Sequence, residues 1–89
     1  MTYEVKVPFE VTAPLDEADS DVRSIARLPG FVRLEAAGRD GMRYELTLDV
    51  EGGSLRDAGD AAEELIVEYV DALGAYRPRL LAAIAPELR

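Results

Sequence analysis

The sequence predicts a small α+β domain, a two-layer sandwich in which an antiparallel sheet carries two helices on one face, in the order β-α-β-β-α-β. Three observations lead there. Residues Met42 to Val50 (MRYELTLDV) alternate apolar and polar side chains with a period of two, as a strand with one buried face does. Residues 3–12 (YEVKVPFEVT) repeat the pattern. Elsewhere the apolar spacing changes to three and four residues, most clearly from Leu55 to Leu73, the mark of a helix packed on one side.

In the first strand Tyr3, Val5, Val7, Phe9 and Val11 share one face, and Glu4, Lys6, Pro8, Glu10 and Thr12 the other. Pro8 has no N–H to give to a ladder, so the strand near Pro8 should have an edge, a bulge or a weakly paired end on one side. Asp16 to Leu28 reads as a helix with Ala18, Val22, Ile25 and Leu28 on one stripe, an Asp19–Arg23 pair at i,i+4, and Asp16 or Asp19 as N-cap. Pro29-Gly30 ends it. Phe31 to Ala37 reads as a strand with Val32, Leu34 and Ala36 inward and Arg33 and Glu35 outward, joined by the hairpin loop Gly38-Arg39-Asp40-Gly41 to the strand 42–50.

Gly52-Gly53 breaks that strand, and Ser54, with Asp57 three residues on, opens the second helix. Its inward stripe is Leu55, Ala58, Ala62, Leu65, Ile66, Tyr69, Val70 and Leu73, and Gly74 is placed to cap its end. In the tail, Leu80, Leu81, Ile84 and Leu88 fit one face of a short helix, yet Pro78 and Pro86 leave only a short run between them. Residues 77–86 are therefore either a short helix or an edge strand. Topology favours the strand, which would flank the first one.

Eighty-nine residues make one domain, 1–89, near the size at which a single core only just offsets chain entropy. With no Cys and no His, the chain offers no disulfide, no thiolate or imidazole metal ligand, no Cys nucleophile and no His base. A formal charge of -8 opposes nucleic acid and anionic membranes, whose ligands need a basic patch. No apolar run approaches the roughly 20 residues of a membrane span, so a soluble, cytoplasmic protein is expected. Lys6 is the single lysine, and Asn and Gln are absent. GC-rich codon usage and a salt-adapted surface both produce that composition.

The element order resembles the ferredoxin-like plait over nearly the whole chain. Ile25-Ala26-Arg27-Leu28-Pro29-Gly30-Phe31, a charged hairpin, and the segment from Ser54-Leu55 to Leu73-Gly74-Ala75-Tyr76 resemble the scaffold of heavy-metal-associated domains. That family's metal site is a Cys pair in the loop after the first strand, here Thr12 to Asp21, and no Cys stands there. The resemblance thus implies a scaffold and no metal. A fainter likeness, in element order alone, is to regulatory ACT domains.

Among candidate sites, Asp16, Glu17, Asp19 and Asp21 offer oxygen ligands to a divalent cation, but helix-start capping accounts for them and no metal is expected. Asp19-Ser20 resembles the attachment serine of acyl carrier proteins, whose all-helical fold the strands contradict. Gly52-Gly53-Ser54 sits among Asp49, Glu51 and Asp57, which would repel an anion. Asp57, Asp60, Glu64, Glu68 and Asp71 form an acidic stripe on the second helix, either a solvated face or a docking face for a basic protein partner. The open sheet face should carry Glu4, Lys6, Glu10, Arg33, Glu35, Arg43, Glu45, Thr47 and Asp49. Of these, Arg33, Glu35, Arg43 and Glu45 could meet a symmetric copy across a two-fold. No catalytic group or cofactor site is expected. The reading is a non-catalytic, self-associating binding module, a homodimer. Its alternative is an ACT-like sensor that binds a small ligand in a dimer crevice.

Overall fold

The alternation read in the sequence sets the centre of the sheet. In the computed structural model, which describes residues 1–89, strand β1 (Thr2–Glu10) lies antiparallel to β3 (Arg43–Glu51) in unbroken register from Thr2 opposite Glu51 to Glu10 opposite Arg43. Strand β2 (Phe31–Ala36) pairs antiparallel with the other edge of β3. Two short strands, β4 (Arg79–Leu80) and β5 (Glu87–Leu88), both pair with the outer edge of β1. The sheet order is β2-β3-β1-β4, with β5 beside β4 on the β1 edge. Helix α1 (Ser20–Ser24) continues into a 3-10 turn at Ile25–Arg27, and helix α2 (Leu55–Ala72) into a second at Gly74–Tyr76.

Alternate positions of the two central strands supply half of the core. Tyr3, Val5, Val7 and Phe9 of β1 and Leu46, Leu48 and Val50 of β3 form one buried cluster with Val11, Val22, Ile25, Ala58, Ala62, Ile66, Tyr69 and Leu73. Side chains such as Leu48 and Val5, fully withdrawn from water, each contribute about 1.5–3 kcal/mol. Tyr44 packs at the rim, its ring stacked on Phe9 at 5.9 Å between centroids.

Several expectations need correction. The first helix does not begin at Asp16. The Asp16 carboxylate accepts from the Ala18 N–H at 2.9 Å and the Asp19 carboxylate from the Asp21 N–H at 2.8 Å, so these side chains bind the backbone before a helix can form. Asp19 is the N-cap, Ala18 is exposed, and Leu15 packs against the core in its place. In β2 an irregularity between Phe31 and Arg33 shifts the register. Phe31 and Leu34 therefore pack on the core, and Ala36 is exposed. Leu55, the first residue of α2, is exposed.

Ser54 caps α2, its hydroxyl accepting from the Asp57 N–H at 3.2 Å. At the other end Gly74 does not take the left-handed position. The helix tightens into the 3-10 turn, and Arg77 adopts φ +50 instead. In the tail, Leu80 stands opposite Phe9 and Leu88 opposite Tyr3, so residues 80–88 span two more residues than the stretch of β1 they face. The surplus leaves the edge at Leu81, whose N–H donates to Pro8 O at 2.9 Å, and returns at Glu87. Pro8, which can accept but not donate, sits where the ladder parts.

Candidate functional site

The acidic stripe is the feature on which the sequence and the coordinates meet most directly. Asp57, Asp60, Glu64, Glu68 and Asp71 are all exposed, and none forms an ion pair within the chain. The apolar side of α2 fixes their direction: Ala58, Ala62, Ile66 and Tyr69 are buried, so residues two positions from each face water. Arg56, on the same helix, joins no ion pair either.

The sheet face away from the core is arranged differently from expectation. Arg33 pairs along its own strand with Glu35 at 3.2 Å, and Glu35 stands directly opposite Glu45. Arg43 stands opposite Glu10, but the Glu10 carboxylate is taken by Arg79 at 2.7 Å, and Arg43 has no ion pair. Arg89 reaches Glu4 at 3.1 Å and lies 2.9 Å from an Asp49 oxygen, close enough to attract it though outside hydrogen-bond geometry. The tail arginines Arg79 and Arg89, not singled out in the sequence, thus neutralise the carboxylates of the central strands. Sequence position hid them, since a tail of unsettled structure has no readable register.

Thr47 departs furthest from expectation. Its parity places it with the outward residues, between Lys6 on β1 and Arg33 on β2, yet it is 1 % exposed and its hydroxyl has no partner.

The loop before α1 is fastened by two phenols. The Tyr44 hydroxyl accepts from the Leu15 N–H at 3.1 Å. The Tyr76 hydroxyl donates to the second oxygen of Asp19 at 2.8 Å, and Tyr76 O accepts from both the N–H and the hydroxyl of Thr12. The Tyr76 hydrogen bond, with the Asp21 N–H behind it, holds the Asp19 carboxyl below the usual carboxylate range, and the same bond raises the Tyr76 phenol. Asp16 and Asp19 are therefore occupied by backbone and phenol. No three carboxylates converge where they could hold a cation.

Two concavities remain. One lies between α2, the core strands and the tail; it is lined by Val7, Phe9, Ile66, Val70, Leu73 and Leu80 among others, and encloses about 270 Å³ that includes open solvent. Its lining is almost wholly apolar. The other, about 480 Å³ including open solvent, is lined only by Ser20, Arg23, Ser24 and Arg27. These four stand at i, i+3, i+4 and i+7 along α1 and its 3-10 turn, one exposed polar face. The spacing was visible in the sequence, but pairing Arg23 with Asp19 concealed it. Asp19 bonds Tyr76 and the backbone, and Arg23 forms no ion pair.

No protein family, curated protein or solved structure matches the chain.

Proposed function

We propose that the chain is a non-catalytic interaction module built as a ferredoxin-like plait, acting in the cytoplasm by self-association and by docking a basic surface on α2. The plait is supported by the strand order β2-β3-β1-β4 with every neighbour antiparallel, and by a helix in each of the two connections that cross between non-adjacent strands. Both helices on one face is supported by the single cluster that joins Val22 and Ile25 to Ala58, Ala62 and Ile66 through the same side of β1 and β3. The likeness to heavy-metal-associated domains extends, on this reading, to the scaffold alone.

The observation that carries the binding role is the exposed stripe Asp57, Asp60, Glu64, Glu68 and Asp71 without an internal counter-charge. Like charges held one turn apart disfavour the helix by tenths of a kcal/mol per pair, and a cationic surface would relieve them. The sheet face with Arg33, Glu35, Arg43 and Glu45 is a second surface for a symmetric copy, less open because Arg33 and Glu35 already satisfy one another. Size-exclusion chromatography with light scattering on the intact chain tests the reading. A concentration-dependent mass above 9.7 kDa is expected. A monomer at every concentration would overturn self-association, and a melting temperature that rises by several degrees with one metabolite would favour the sensor instead.

A further inference from the structure

We propose that the acidic face of α2 is met by the Arg23–Arg27 face of α1 from a second copy of this chain, about a two-fold axis lying in the interface between the two helices. The inference rests on the self-association proposed above and names the surfaces that carry it. Three observations lead to it. Arg23 and Arg27 are exposed, stand on one polar face with Ser20 and Ser24, and form no ion pair. The reason Arg23 is free is structural: the carboxylate one turn before it, Asp19, is consumed by the Tyr76 hydroxyl and the Asp21 N–H. Facing outward on α2, Asp60, Glu64 and Glu68 repeat every four residues, about 6 Å along the axis, and the two arginines are also four residues apart, Arg23 on α1 and Arg27 in the tighter 3-10 turn that follows.

The geometry makes the contact self-complementary. Helix α1 packs beside α2, so a two-fold lying between them sets α1 of each copy over α2 of the other, and every Arg–carboxylate contact occurs twice. It also answers the general repulsion between two chains of charge -8, because the arginine face is where an approaching carboxylate surface is attracted. Ser20 places a hydroxyl beside the arginines that can bond a carboxylate oxygen left over, whereas the Ser24 hydroxyl already donates to Asp21 O at 2.7 Å. Exposed pairs of this kind are individually weak and are screened over about 10 Å at 0.1 M salt. The dimer should therefore be weak and strongly salt-dependent.

The test is sedimentation of the full chain and four variants at about 0.02 M and about 0.5 M salt. The wild type should dimerise at low salt, with affinity falling tenfold or more at high salt. R23E/R27E and E64R/E68R should each be monomeric with unchanged circular dichroism. Mixing the two variants should restore dimers, because each mixed dimer then opposes glutamates to arginines at one contact and arginines to carboxylates at the other. The combined variant R23E/R27E/E64R/E68R should likewise dimerise by itself. A wild-type dimer that survives R23E/R27E but is lost in R33E/R43E would overturn this inference and leave self-association standing on the sheet face. Folded variants that stay monomeric when mixed would overturn it as well, and a wild type monomeric at low salt would overturn the self-association reading itself.

Discussion

Removing one oxygen atom, by Tyr69→Phe, should change both the stability of this protein and the shape of its alkaline limb. The Tyr69 ring is buried among the core residues, and its hydroxyl donates to Pro29 O at 2.9 Å, with Leu28 O at 3.3 Å. This bond ties α2 to the turn that begins β2. Burial pushes the phenol up to about 12 from an ordinary 10, and Glu68 beside it adds to the rise. Between those values the unfolded chain gives up the proton and the folded chain keeps it, so stability is complete below pH 10 and is lost as pH rises through about 12. Two pH units correspond to about 3 kcal/mol at most. Near pH 7, Tyr69→Phe loses a hydrogen bond and strands a carbonyl, a cost of about 1–2 kcal/mol. Urea denaturation followed by circular dichroism from pH 7 to 12 should show the wild type more stable at neutrality. The gap should close, or reverse, toward the alkaline end. The chain has no Cys and no His, but of its three other tyrosines Tyr76 also has a raised phenol, and subtracting the variant's curve removes that contribution. Parallel curves for the two proteins would refute the reasoning, because the buried phenol would then not govern the alkaline loss.

Three further outcomes follow from the loops and glycines. Substituting Gly52 by Ala should destabilise by more than about 2 kcal/mol, since a Cβ there would stand 2.7 Å from the Ala58 N, an atom of backbone that cannot move away. Substituting Gly59, which has open space about it within α2, should stabilise by about 0.5–1 kcal/mol, and thermal melts of the pair should shift in opposite directions. The Asp19 carboxyl, depressed by Tyr76, supplies stability that is present above the ordinary carboxylate pKa and lost as pH falls through its lower folded value. Tyr76→Phe should flatten that part of the acid limb, seen as a smaller drop in melting temperature below about pH 4.

The sheet was legible where one residue type dominates each parity. Tyr44 to Val50 and residues 3–11 place their apolar side chains on one side because nothing local competes with the pleat, and the structure packs them accordingly, whereas Met42, expected on the same face, precedes β3 and stays out of the core. Legibility failed where a side chain could bond its own backbone, as at Asp16 and Asp19, because a pattern of apolar spacing carries no information about such turns. Thr47 failed for a related reason: alternation tells which side a residue points to but not what its neighbours Lys6 and Arg33 cover. On the surface, the acidic stripe was legible because burial of Ala58, Ala62 and Ile66 fixes its direction. The arginine face of α1 was not, since its freedom depends on Tyr76, which is 57 residues from Asp19 in the chain.

The gap opposite Pro8 bears on how such sheets avoid growing. A strand at a border normally presents a regular row of donors and acceptors to any passing chain, and like borders then zip together into fibres. Here the outer edge of β1 has strand partners only toward its two ends, and at Pro8 the carbonyl oxygen is already held by the Leu81 N–H while the ring nitrogen has no proton to donate. An incoming strand would meet an interrupted template with a bulky excursion of chain in front of it. Lateral stacking of sheets along that border is thereby discouraged.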